Sequence, residues 1–330
     1  MAIELIHIKN FKSLLDLKIE KPNPFTVFVG TNASGKSNIF EALEFYTYVY
    51  KYGFEEASRL FLGRDSVFNL NNFVSEFKIQ VDFSKWSTSL NTDSNFLNPR
   101  INGFNPKQLI QIESDPTEIP FFNEFSKIFI NNSEKVRIPE KGDFKLSTDA
   151  KNIEKVLKKI FQYPEIRDEL IEIISFLIPD FKNLEIHSDG LSGNDNILIY
   201  EKHSRKPFPR HLISEGTYNI ISLLTVVYQS YYQGEFQRQF LCIEEPENGL
   251  HPEAIKEMVY FFREQCEKKD HYIWLTTHSQ SLVSVLKPEE IVVVDKINGE
   301  TRIKQYIGEH FHGLKMDEAW LSNALGGGLI

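Results

Sequence analysis

The residues with the most definite chemistry are Gly30, Thr31, Asn32, Ala33, Ser34, Gly35, Lys36 and Ser37, followed by Asn38. They spell GxxxxGKS in the context that pattern requires: Phe25–Val29 (FTVFV) reads as a buried strand before it, and NIFEALEFYTYVYKY as a helix after it. Gly30 and Gly35 let the backbone curl, so that consecutive N–H groups point at phosphate oxygens, and the new helix adds its positive end. Lys36 is placed to reach the β- and γ-phosphates, and the Ser37 hydroxyl to ligate Mg²⁺. The loop predicts nucleoside triphosphate binding without saying which class of NTPase carries it.

Four features of the second half bear on that question. Ser214, Glu215 and Gly216 precede an apolar helical run, YNIISLLTVVYQSYY. Ser214 suits an N-cap and Gly216 leaves the helix start open to an anion, although the same residues also read as an ordinary cap. Phe240–Ile243 is a short buried strand ending in Glu244, Glu245, Pro246 and Glu247. Carboxylates at a strand end in an α/β sheet lie where ligands bind, one for a metal's water shell and the next for an attacking water. A solvated acidic turn is the plainer alternative. Asn248 to Pro252 (NGLHP) reads as a tight turn opening a helix, EAIKEMVYFFREQCEKK. Last, HYIWLTT (271–277) is a strand ending at His278, one strand after the carboxylates and well placed for a γ-phosphate.

These residues need a sheet to hold them. Residues 3–8 and 16–19 read as strands before the phosphate loop. From 53 to 204 the pattern changes: a strand at 76–83, an irregular polar loop at 84–108, and a strand at 125–130. Helices follow at 149–162 and 165–177, then two strands, 183–187 and 196–201, leading back to the core. We therefore expect a core of 1–52 and 205–330, interrupted by an arm or lid at 53–204. No heptad or longer repeat runs through it.

Taken together, IKNFKS, GTNASGKSN, LISEGTYNIISLL, IEEPENGLHP, TTHSQSLV and WLSNALGG resemble the ABC-type ATPases of the RecF/SMC/OLD group. Within that group the chain is most similar to bacterial AAA family ATPases with an ABC-type head, found among defence and DNA-repair genes. The resemblance covers most of the core, and the insertion only in outline. It implies an α/β P-loop NTPase with an ABC-type head, a mixed sheet and an inserted α+β arm. It implies ATP and Mg²⁺ as cofactors, with Lys36 and Ser37 as Walker A, Glu244 at the Walker B metal position, Glu245 as catalytic base and His278 as switch histidine. Ser214, Glu215 and Gly216 would be a signature contacting ATP on a second subunit, with His251 near the dimer-contacting loop. A homodimer closing over ATP is thus implied, together with DNA and a separate effector such as a nuclease. Departures are Glu244 in place of the commoner Asp and SEG in place of SGG. Gln80, Gln108 and Gln111 all remain open for the Q-loop. The larger relatives' Toprim nuclease domain is not expected in the roughly 50 residues after His278, although Asp295 and Glu300 lie there.

The totals narrow the alternatives. At 330 residues, 41% hydrophobic and 25% charged, this is an ordinary globular composition. The net charge of −9 excludes a polycation, so nucleic acid must meet a local patch. The best candidate is Lys202-His203-Ser204-Arg205-Lys206 with Arg210, which also reads as a solvated hairpin tip. Cys242 and Cys266 show no zinc spacing and are expected as reduced thiols in a cytoplasmic protein. No signal peptide or membrane span is legible. A transporter ATPase subunit and a slow or non-hydrolysing scaffold remain as alternative functions. A membrane partner would favour the first, and absent turnover the second.

Overall fold

Phe25–Val29 is apolar throughout, and a strand of that kind needs cover on both faces. The computed structural model describes residues 2–69, 77–84, 87–92, 110–112, 124–137, 145–188, 194–306, 315–322 and 325. In chain order the elements used below are β1 (Ile3–Phe11), β2 (Leu14–Glu20), β3 (Phe25–Val29), α1 (Lys36–Tyr52), α2 (Phe54–Leu60), β4 (Phe77–Phe83), β5 (Ser87–Thr92), β6 (Ile110–Ile112) and β7 (Phe125–Ile128). Next come α3 (Ile153–Ile160), α4 (Pro164–Leu177), β8 (Phe181–Ser188), β9 (Asp195–Glu201), β10 (Phe208–Pro209), α5 (Glu215–Tyr228), β11 (Tyr231–Tyr232) and β12 (Glu235–Phe236). The last are β13 (Phe240–Glu244), α6 (Pro252–Lys269), β14 (Tyr272–Thr277), α7 (Gln280–Val283), β15 (Ile291–Ile297), β16 (Glu300–Gln305) and α8 (Met316–Leu321). No described helix is long and apolar enough to cross a membrane.

The chain divides into two compact units. The first is Met1–Lys127, Phe240–Cys242 and Tyr272–Ile330; the second is Ile128–Gln239 and Ile243–His271. Among the described residues the first unit carries two sheets. One runs β2-β1-β4-β5-β6 and is antiparallel throughout. The other is mixed, ordered β16-β15-β3-β14-β13-β7, with β3 parallel to both neighbours, so its five residues are all buried. Helix α1 is buried on most of its surface, and Phe45 meets Phe11, Phe54, Phe61 and Phe77 at ring separations of 5.2–6.0 Å. Truncating such a side chain to alanine costs about 3–5 kcal/mol. Beside this apolar cluster, Lys127 pairs with Glu44 at 3.4 Å and Glu41 at 3.9 Å, and Glu41 also binds Lys12.

The compact units are cut differently from the expected 53–204 insertion. Strand β4 pairs with β1 from Ile3↔Phe83 to Lys9↔Lys78, which ties it into the first unit. Residues 87–92, expected as irregular loop, form β5 on the far side of β4. Their sequence, STSLNT, hides the strand because Leu90 is its one large buried side chain, while Thr88 is buried through its hydroxyl on Tyr46. Residues 205–239, expected in the core, belong to the second unit. There α5, buried from Tyr218 to Tyr228, packs with α3 and α4. Strands β8 and β9 do not rejoin the core sheet but form a separate one, β10-β9-β8.

Candidate functional site

In the first unit, the phosphate loop is built from backbone strain and close packing. Ala33 and Gly35 both take left-handed conformations, with φ of 62° and 106°. Left-handed residues turn peptide N–H groups inward to form an anion-binding concavity. A Cβ at Gly30 would stand 2.2 Å from the Val294 carbonyl oxygen, and one at Gly35 2.0 Å from Thr301 Oγ1, so neither position admits a side chain. Lys36 is 8% exposed, and its ammonium donates to the carbonyls of Gly30 and Thr31, both at 2.8 Å. A desolvated cation is therefore held against the loop. Helix α1 has no side-chain cap, and the buried Ser34 hydroxyl has no hydrogen-bond partner among the described residues. An orphaned buried donor, an uncapped helix start and a fixed ammonium all fit a polyphosphate.

Strand β14 brings the histidine to this loop. Thr277 lies opposite Val29 in parallel register, so the chain leaves the sheet at His278 beside the place where it leaves at Gly30. His278 is exposed; Thr277 Oγ1 accepts from the Ser279 N–H at 2.9 Å, and Ser279 caps α7.

In the second unit, Glu244 ends β13 as a buried carboxylate, 4% exposed. Glu245 follows at φ 49°, a left-handed conformation that costs a non-glycine residue of order 1 kcal/mol. Its Oε2 accepts from Asn248 Nδ2 at 3.1 Å. The Asn248 carbonyl accepts in turn from Asn219 on α5 at 2.6 Å. Ser214 caps α5, its Oγ accepting from the Thr217 N–H at 3.1 Å, and Ser214 and Glu215 are exposed. A Cβ at Gly216 would lie 2.4 Å from the Gly249 carbonyl oxygen, so only glycine lets the helix start meet the 245–250 turn. His251 caps α6, its Nδ1 accepting from the Glu253 N–H at 3.3 Å. Among the described residues no cluster of three or more His, Cys, Asp and Glu could hold a metal ion.

Residues 25–284, from β3 to just past His278, match the model of the family described as "AAA domain, putative AbiEii toxin, Type IV TA system". The chain belongs to this AAA family. Three solved structures share the fold of this AAA protein. The SMC head domain from Thermotoga maritima superposes with a TM-score of 0.53 at 15% identity, covering 92% of this chain and 99% of that one. The SmcHead bound to the C-winged helix domain of ScpA gives 0.62 at 16%, covering 93% and 98%. The Smc head domain with an extended coiled coil, bound to the C-terminal domain of ScpA derived from Pyrococcus furiosus, gives 0.56 at 14%, covering 97% and 98%. In sequence, 45 residues are 49% identical to the chromosome partition protein Smc of Methanocaldococcus jannaschii and 44% identical to that of Methanococcus voltae. That segment is 14% of this chain and spans 4% of each relative's length.

Sequence reasoning missed the groups that hold the site. Ser13, Asn219 and Asn248 lie inside the stretches that carry the resemblance but had no role assigned there, and Thr301 carried no local signal, because their partners lie on other elements. Of the Q-loop alternatives, Gln80 is engaged with both oxygens of Asp82, Gln108 lies outside the described residues, and Gln111 falls on β6. In the basic segment Arg210 is a packing residue rather than an open cation. It pairs with Glu154 at 2.8 Å and stacks over Tyr218 at 4.5 Å. Arg205 and Lys206 are exposed. Cys242 and Cys266 are buried thiols outside any disulfide.

Proposed function

We propose that this AAA-family chain binds and hydrolyses ATP as a conformational switch on DNA, working as a homodimer with a separate effector such as a nuclease in bacterial defence or DNA repair. The observation that supports it most is the phosphate loop, with its desolvated Lys36, in strand register with His278. In this reading Asn32 to Asn38 wrap the phosphates, and Lys36 binds the β- and γ-phosphates. Ser37 and Glu244 would hold Mg²⁺, which supplies charge neutralisation when bound. Glu245 accepts a proton from water as its oxygen attacks the γ-phosphorus, the bond to the β–γ bridging oxygen breaks, and ADP leaves with the electron pair. His278 positions the γ-phosphate. Ser214, Glu215 and Gly216 serve the ATP of a second copy, and Arg205 and Lys206, exposed beside Lys202 and His203, are the basic residues for DNA.

The test is turnover, with and without duplex DNA, of Lys36→Ala, of Ser214→Arg and of their mixture. Each variant alone should be inactive. A mixed dimer carries one site with both lesions and one with neither, so part of the activity should return. Full activity of Ser214→Arg alone defeats the shared site, normal turnover by Lys36→Ala defeats the ATPase reading, and DNA-independent turnover and binding defeat the DNA assignment.

A further inference from the structure

The hairpin of β15 and β16 is closed by Asn298 and Gly299, both left-handed, and it carries Thr301 to the floor of the phosphate loop. Thr301 is 3% exposed. Its hydroxyl donates to the Ser34 carbonyl at 2.9 Å and lies 2.6 Å from Ser13 Oγ, which accepts from Asn38 Nδ2 at 2.7 Å. The Thr301 N–H also binds the Ser13 carbonyl at 2.9 Å. A hydroxyl carries one proton. Thr301 spends its proton on Ser34, so Ser13 must donate to Thr301, and Ser13 is then left to accept from Asn38. The direction of the whole relay follows: Asn38 amide to Ser13 hydroxyl to Thr301 hydroxyl to Ser34 carbonyl.

We propose that Thr301, oriented by Ser13, is a positioning residue that sets the peptide plane between Ser34 and Gly35 for nucleotide binding. A trans peptide is planar, with its C=O and N–H pointing in opposite directions. Anchoring the Ser34 carbonyl on Thr301 therefore turns the Gly35 N–H to the other face. The Thr301 side chain occupies the space beside Gly35, so a phosphate has only that other face to approach. The relay also accounts for the end of IKNFKS, because Ser13 ties the β1–β2 turn to the first turn of α1 and to the strand hairpin from the far end of the chain. Donors aligned in this way polarise one another, so losing one member weakens the rest.

This inference rests on the ATP-binding reading, and the experiment separates the two. Binding of a non-hydrolysable ATP analogue with Mg²⁺ is measured by calorimetry for wild type, Lys36→Ala, Thr301→Val, Thr301→Ser, Ser13→Ala and the Thr301→Val/Ser13→Ala double variant, beside turnover and the ligand-free melting temperature. Thr301→Val keeps the shape and removes the hydroxyl. It should weaken binding and raise KM roughly tenfold, the loss of one ordered hydrogen bond, with kcat changed less. Thr301→Ser should restore wild-type affinity. Ser13→Ala should weaken binding in the same direction, and the double variant should be no weaker than Thr301→Val alone. If Thr301→Val does not fold, Thr301→Ser and Ser13→Ala carry the test, and wild-type affinity in Ser13→Ala overturns the relay. Wild-type affinity in Thr301→Val, or a lowered melting temperature with unchanged affinity, overturns the positioning role while Lys36→Ala still abolishes binding. No binding by wild type defeats the ATP reading instead.

Discussion

The phosphate loop of the first unit and the helix start at Ser214 in the second both present backbone N–H groups at the head of a helix, and they are finished differently. The loop is braced on its inner side: Val294 closes on Gly30, Thr301 on Gly35, and Lys36 is held by loop carbonyls. At α5 the only comparable brace among the described residues is Gly249 against Gly216, and Ser214 and Glu215 stand exposed. A braced loop is pre-organised and loses little order when an anion arrives. The α5 start is capped by its own Ser214 and leaves Ser214 and Glu215 exposed.

The sharpest way to break this contrast is Gly35→Ala. The new Cβ would face Thr301 Oγ1 at 2.0 Å in a left-handed backbone. Nucleotide affinity should fall on the order of a hundredfold, ~2.7 kcal/mol, as read by titration with a non-hydrolysable analogue. Near-normal affinity would mean the loop is not rigid.

Gly216→Ala should do less to binding and more to turnover. Its Cβ would meet the Gly249 carbonyl at 2.4 Å and press on the turn in which Asn248 holds Glu245. Overpacking of this kind costs about 2 kcal/mol, so the melting temperature should drop and kcat fall with nucleotide affinity kept. A fall in affinity alone would place Gly216 with the phosphate loop's function instead.

The smallest effect concerns the second unit's stability. His271 is fully buried, its Nδ1 accepting from the Gln239 N–H at 3.3 Å, so the neutral ring carries its proton on Nε2. Burial, reinforced by Lys269 and Arg238, lowers its pKa from 6.5 to about 4. Below 6.5 the unfolded chain takes up a proton that the folded chain refuses until about pH 4. Stability is therefore complete above 6.5 and is lost as pH falls through that window, by about 1 kcal/mol at roughly pH 5.5. Denaturant unfolding at the two pH values should show this, and His271→Gln should flatten the dependence. An equal acid loss in that variant assigns the effect to other groups.

What the sequence by itself determined were the features written in consecutive residues. GTNASGKSN, its flanking strand and helix, the carboxylates after β13 and the histidine after β14 are each set by local backbone chemistry. Strand and helix periods survive in a window of a few residues, as do glycines needed for left-handed turns. The rest is long-range. Ser13 and Thr301 are 288 positions apart and meet through their hydroxyls and one backbone hydrogen bond. Nothing in FKSLL or ETRIKQ separates a hydroxyl that supports a phosphate loop from one that faces water. Arg210 looked like an open cation because Glu154 and Tyr218 lie on other elements. The pairing of β4 with β1, which moved the boundary between the two units, depends on which edge strand finds which partner. Alternating apolar residues tell a strand to bury one face, but not beside whom; only the packed chain makes that choice.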